Sequence, residues 1–258
     1  MSNLVHYEII EDWIALVTLN RPEKRNAINP ELAQALEAAV KRSESDDMVR
    51  AVILTSSNDK TFCAGADLKA VSEGRGRELY TADGGFGGLV EAQRRKPWIA
   101  AITGSALAGG MELSLACDMI VAAQATLFGL PEAKRGLVAA AGGISRLPKA
   151  IPRNLAMELI ATGDPIDAAR AYDLGLVNTV TPAGKHLEGA LDLARRIVVN
   201  APLAVQEGIG VAKEAVNLTD EAGMRLADKA VARLRGTEDY QEGPLAFIEK
   251  RAPVWKGR

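Results

Sequence analysis

The chain has 258 residues, with 31 Lys plus Arg against 33 Asp plus Glu, a net charge of −2 and a pI near 5.9. That length fits one domain with an appendage and excludes a long multidomain assembly, and the even charge balance speaks against nucleic acid as a partner. Hydrophobic residues reach 48% while aromatics are only 4% and glycines number 24, so the chain packs through small residues and close backbone approaches.

The first elements are short. Tyr7–Ile10 and Trp13–Leu19 are apolar segments split by Glu11-Asp12, which predicts a β-hairpin. Asn29-Pro30-Glu31 supplies an N-cap, a proline at the first helical position and an acid in the first turn; Leu32, Leu36, Ala39 and Val40 then mark one helical face that fades near Ser43. Ala51–Thr55, Ile99–Thr103, Met119–Ala122 and Leu176–Val180 read as strands covered on both faces. Helical stretches lie between them, including Phe86–Arg95 and Asn154–Thr162, and this alternation predicts an α/β class. Glu73–Gly88, rich in glycine and charge, is expected to be a mobile loop over a site. After Pro182 three helices follow without a strand, His186–Asn200, Leu203–Val216 and Thr219–Leu234. The expected division is an α/β catalytic part over residues 1–182 and a helical oligomerisation region over 183–258. No internal repeat is visible.

Cys63 and Cys117 are too few for a disulfide scaffold, which favours a reducing cytoplasmic setting. The opening residues have no basic segment followed by an apolar one, and no apolar run reaches about 18 residues, so neither export nor a membrane partner is expected. His6 and His186, the only histidines, sit far from any Ser-His-Asp or metal-ligand spacing, and no phosphate-binding glycine motif appears.

Two glycine-bearing turns carry more chemistry. Phe62–Lys69 follows a strand and leads toward a helix, and Gly104–Glu112 does the same after Ile99–Thr103. Such a turn exposes unpaired N–H groups beside the positive end of a helix dipole, which suits a phosphate or a developing oxyanion. Glu112 just after the second turn, and Glu132 in Phe128–Glu132, are candidates for an acid/base pair; an acid complementing a helix start and an exposed loop acid are the plain alternatives.

With those residues in place the chain resembles the enoyl-CoA hydratase/isomerase (crotonase) superfamily along nearly its whole length. Leu19–Pro22 with Arg25–Ala27, Phe62–Lys69, Ala106–Glu112 with Cys117-Asp118, Phe128–Glu132, Gly142-Gly143, Gly163, Gly175–Val177 and Glu242–Arg251 carry the resemblance. It implies a spiral of ββα units with a helical C-terminal trimerisation region, homotrimers or dimers of trimers, an acyl-CoA thioester substrate, and no cofactor beyond the coenzyme A of the substrate. It places oxyanion-hole N–H donors on Ala66 and Gly109 and the two hydratase glutamates on Glu112 and Glu132. Substrate contacts fall on Arg25, Ala64, Asp67, Leu68 and Lys69, and on Phe247 and Lys250 reaching a neighbouring subunit's coenzyme A. In Gly136–Gly143 the chain departs from the family's proline- and glycine-containing turn, with Ala139 and Ala140 in place of the common residues. The implied activity is reversible hydration of a 2-enoyl-CoA. An enoyl-CoA isomerase, a carnitinyl-CoA dehydratase-like enzyme and a non-catalytic binding homologue are the alternatives.

Overall fold

A computed structural model describes residues 3–258. The opening hairpin pairs β1 (Val5–Glu11) with β2 (Ile14–Leu19) antiparallel. Next comes α1 (Pro30–Ser45), where the Asn29 side chain accepts the Leu32 N–H at 3.0 Å and the Leu32, Leu36, Val40 face is buried as the periodicity requires.

Three strand pairs then repeat one plan. β3 (Ala51–Ser56) is followed by β4 (Thr61–Cys63) and α2 (Leu68–Ser72); β7 (Trp98–Ile102) by β8 (Ser105–Leu107) and α3 (Gly109–Ala116); β9 (Met119–Ala123) by β10 (Leu127–Gly129) and a 3-10 turn at Pro131–Arg135. Between the first two lies a small hairpin of β5 (Tyr80–Thr81) and β6 (Gly85–Phe86). The first strand of each pair enters a six-stranded sheet ordered β1-β2-β3-β7-β9-β12, and the second enters a four-stranded sheet ordered β11-β10-β8-β4. Here β11 is Ile166–Asp167 and β12 is Thr179–Thr181. The repeat is one of backbone path, which is why the sequence shows none.

Continuous apolar strands are explained by burial on both faces. Val17, Leu54 and Ile102 point into the main core, while Ile14, Ile53, Ile99 and Val121 point to a second core. The second core is sealed by Ala190, Ala194 and Val198 of α7 (His186–Val198), so the first helix after Pro182 packs on the sheet. The main core is closed by α4 (Gly143–Ala150), α5 (Arg153–Thr162) and α6 (Ala168–Asp173). Three further helices follow: α8 (Pro202–Ala215), α9 (Asp220–Leu234) and α10 (Glu238–Glu249). The last residues fold back, with buried Asp239 accepting the N–H groups of Lys256 and Gly257 at 2.7 and 2.9 Å and the Trp255 indole donating to the Val199 carbonyl at 2.8 Å.

Three expectations are corrected. Phe86–Arg95 is not a helix: the chain runs through turns there, because Gly85, Gly87 and Gly88 adopt positive φ, and a Cβ on Gly88 would lie 2.2 Å from the Ala33 carbonyl oxygen of α1. Nor is Glu73–Gly88 a loose flap, since Leu79 and Phe86 are fully buried and the Glu37 carboxylate accepts N–H groups from Asp83 and Gly84. The strand expected at Leu176–Val180 starts later, at Thr179, because Leu176 and Val177 turn into the main core. Among the described residues no helix is long and apolar enough to cross a membrane.

Candidate active site

The two glycine-bearing turns meet at a cleft of about 550 Å³. In the first turn, the Ile28 N–H donates to the Gly65 carbonyl at 2.8 Å and the Asp67 N–H to the Ile28 carbonyl at 2.9 Å. This parallel bridge uses the groups on either side of Ala66 and turns the Ala66 N–H the other way, toward the cleft. In the second turn Ala108 is held at φ 51°, ψ −126°, a conformation an alanine adopts only when its surroundings fix it. Its N–H donates to the Gly129 carbonyl at 3.0 Å, and its carbonyl accepts the Glu112 N–H at 3.1 Å. The next N–H, that of Gly109, heads α3 and needs no helical partner. The turns touch: a Cβ on Gly65, itself at φ 91°, would lie 2.8 Å from the Gly109 nitrogen. Ala66 and Gly109, from separate chain segments, thus line one cleft on a rigid frame, the arrangement that stabilising a developing oxyanion requires.

Glu112 lies one turn into α3 and is only 4% exposed. One carboxyl oxygen accepts the Gly143 N–H at 2.9 Å. Burial pushes its pKa up to about 7; the Gly143 and Ala141 N–H groups and the Arg146 charge oppose that rise, and the charge of Glu132 adds to it. Glu132 sits in the 3-10 turn, its pKa also raised by burial and partly restrained by its own N–H and by Arg135. One oxygen of Glu132 is buried with no hydrogen-bond partner among the described residues. Both carboxyl groups line the cleft with Ala66 and Gly109. In the stretch where Ala139 and Ala140 depart from the turn the resemblance implies, the Gly143 N–H nevertheless donates to Glu112.

Arg25, Ala64, Asp67 and Leu68 line the same cleft. Arg25 is presented at the mouth by consecutive left-handed residues, Arg25 and Asn26, fixed by the buried Asn26 amide, which donates to Ser56 Oγ at 2.9 Å and the Phe62 carbonyl at 3.0 Å. Asp67 is already engaged, pairing with Arg21 at 2.7 Å and capping α2 through the Lys69 N–H at 3.0 Å. Lys69 points outward toward Glu73 and does not line the cleft, and Phe247, 86% exposed, and Lys250 lie on or just past α10, outside this chain's cleft. Neither His6 nor His186 lines it. Cys63 and Cys117 are buried free thiols, each pushed up to about 12 by burial, in keeping with an inert packing role.

Reading the sequence missed the cleft's aromatic wall, Tyr80 and Phe86, whose rings stack edge to face with centroids 5.5 Å apart. Leu107, Leu137 and Val138, from stretches the sequence singled out without giving these residues a role, also line the cleft. The scarcity of aromatics was the available signal: two of them six residues apart around Gly84-Gly85.

The profile of the enoyl-CoA hydratase/isomerase family matches residues 10–258. This chain belongs to that family. It is 41% identical over 247 residues to the carnitinyl-CoA dehydratase of Salmonella typhi, covering 94% of both chains. Among solved structures, the enoyl-CoA hydratase of Mycobacterium tuberculosis H37Rv superposes over the full length of both chains with a TM-score of 0.94 at 40% identity. The carnitinyl-CoA hydratase of Mycobacterium avium, also covered fully, gives 0.80 at 44%. The crotonase-type fold expected from the resemblance is therefore the fold observed, and the glycine turns and glutamates belong to an enzyme family.

Proposed function

We propose that this chain is a hydro-lyase that adds water reversibly across the 2,3 double bond of a 2-enoyl-CoA thioester. The observation that carries the reading is the meeting of two carboxyls whose pKa burial raises, Glu112 and Glu132, with the backbone N–H groups of Ala66 and Gly109 at one cleft. The thioester oxygen accepts from both N–H groups, which polarises the double bond and stabilises the enolate-like state as water attacks C3. Ionised Glu112 takes the water proton while protonated Glu132 delivers one to C2, so the product gains one water and the pair ends with its proton exchanged. As a coupled pair the two titrate together. Coenzyme A arrives as part of the substrate, and the step calls for no resident cofactor. Arg25 at the mouth suits a coenzyme A phosphate, and α8–α10 suit assembly into homotrimers, in which Phe247 and Lys250 of one subunit would close the site of the next.

The aromatic wall favours one related substrate. The Tyr80 and Phe86 rings have Glu112 and Glu91 nearby, both raising the Tyr80 pKa after burial, and such a wall suits an acyl group bearing a quaternary ammonium, as in a carnitinyl thioester. A panel of enoyl-CoA esters, neutral and cationic, tests both readings through loss of conjugated-thioester absorbance and gain of one water in mass. Migration of the double bond at constant mass would make the protein an isomerase. No change with any ester would make it a binding homologue.

A further inference from the structure

Behind Glu112, on the side away from the cleft, lies a cationic pair that the hydration scheme does not use. Arg146 of α4 reaches under the turn that holds Glu112: its Nη2 donates to the Val90 carbonyl at 2.6 Å and its Nη1 lies 3.5 Å from the Ala141 carbonyl. The fit against this turn is close, because a Cβ on Gly142, at φ 103°, would sit 2.2 Å from Nη1. One residue further on, the Gly143 N–H donates to Glu112. The same guanidinium thus touches the turn carrying Glu112's donor and the segment following the Phe86 wall. Arg94 stands beside it, donating to the Ala116 carbonyl and stacked 5.4 Å over Trp98, with its Nε and Nη1 buried and unpartnered among the described residues. Neither arginine lines the cleft.

We propose that Arg146 is a positioning residue for Glu112: by gripping the 141–143 turn it holds the Gly143 N–H against the carboxyl, and its fixed positive charge favours the ionised form that takes the water proton. This rests on the reading of Glu112 as the water-activating base. Glu132 from the 3-10 turn and Arg146 from α4 act on Glu112, and Glu112 in turn acts on Tyr80 of β5; Arg146 itself is surrounded by Glu112, by Arg94 and Glu91 from the segment after β6, and by Cys117 at the end of α3. Of these, Glu132, Glu91 and Tyr80 favour the protonated carboxyl or carry no compensating charge. Arg146 is the cation whose field reaches Glu112 directly, while Arg94 acts on Arg146. Burial lowers the Arg146 pKa and the neighbouring Arg94 charge lowers it further, yet a guanidinium stays charged throughout the working range.

The test is a carboxyl-carbon NMR titration of the full-length protein with 13C-labelled glutamate, Glu112 being assigned by its absence in Glu112→Gln. Neutral Arg146→Met and Arg146→Gln should move the Glu112 midpoint upward by about one pH unit, the scale of one charge in a partly screened site, whereas Arg146→Lys should leave it within a few tenths. The acidic limb of kcat/KM should shift by the same amount with KM little changed, since the Arg146 side chain is not itself part of the cleft lining. Arg146→Gln keeps a donor for Val90, so one neutral variant remains if Arg146→Met melts early. An unmoved midpoint in a folded neutral variant, or a Lys variant that shifts as far as Met, overturns the proposal. The NMR titration needs no substrate, so a wild type that hydrates nothing would sink the hydratase reading while leaving this one to be judged.

Discussion

The α/β layers through α7 and the three helices after them handle apolar surface in opposite ways. In the first region the largest core side chains are sealed, Trp98, Phe62 and Phe128 among them, and both glutamates and both glycine-bearing turns meet at one cleft. In α8–α10 only Pro202, Ala230, Asp239 and Ala246 are buried, while Met224, Ile248 and Phe247 stand 71%, 75% and 86% exposed. The glutamates and N–H groups of the proposed site lie in the closed region, where a backbone N–H can be held to a fraction of an ångström.

Breaking the closed region should have the largest effect. Glu112→Gln and Glu132→Gln should each lower kcat for hydration by about two to four orders of magnitude, the range of general acid–base catalysis, with little change in thioester binding. Stopped-flow rates beside a direct binding measurement check this. Gly65→Ala comes next: its Cβ would press on the Gly109 nitrogen and the Ala108 methyl at 2.8 and 2.9 Å in a left-handed backbone position. Spreading the two donors should cost about a hundredfold in kcat, comparable to the loss of one oxyanion donor. A melting curve separates that loss from unfolding.

The same region should show activity bought with stability. A buried carboxyl raised to about 7 from its ordinary 4.5 binds its proton more tightly in the folded state than in the unfolded one. The folded protein is therefore favoured below pH 4.5, and the penalty for ionising Glu112 grows as pH rises to about 7, reaching on the order of 3 kcal/mol above it. Glu112→Gln, which keeps an oxygen for the Gly143 N–H, should accordingly raise the melting temperature at pH 8 and make no difference near pH 4. Thermal melts at both pH values decide it.

The open region should give the smallest effect and the most specific one. Phe247→Ala and Lys250→Ala remove exposed side chains that stabilise nothing within one chain, so melting should not change. If they close a neighbouring subunit's coenzyme A site, KM for an enoyl-CoA should rise several-fold while a thioester lacking the nucleotide is unaffected. Point variants are the right tool, because deleting the tail would also strip the Asp239 and Trp255 contacts.

What the sequence revealed follows the same division. α1 was legible from Asn29-Pro30 and its apolar spacing, and the buried strands from their β-branched runs, because those signals are local. Glu112 and Glu132 stood out as acids beside glycine turns in apolar surroundings. The Gly65–Gly109 contact, the Gly143 donor and the Tyr80–Phe86 wall were not legible from residue patterns, since each joins segments far apart in the chain. The missed non-helix at Phe86–Arg95 has the same origin: its glycines are placed by contact with α1 rather than by local preference.

The central claim, that Glu112 and Glu132 together add water across the double bond, is tested most directly by running the reaction in deuterium oxide and reading the 3-hydroxyacyl product by proton NMR. The account predicts one deuterium at C2 in a single configuration with hydroxyl at C3, and loss of that incorporation in both Glu112→Gln and Glu132→Gln. Normal incorporation in either variant, or deuterium entering C2 without any hydroxyl at C3, would contradict it.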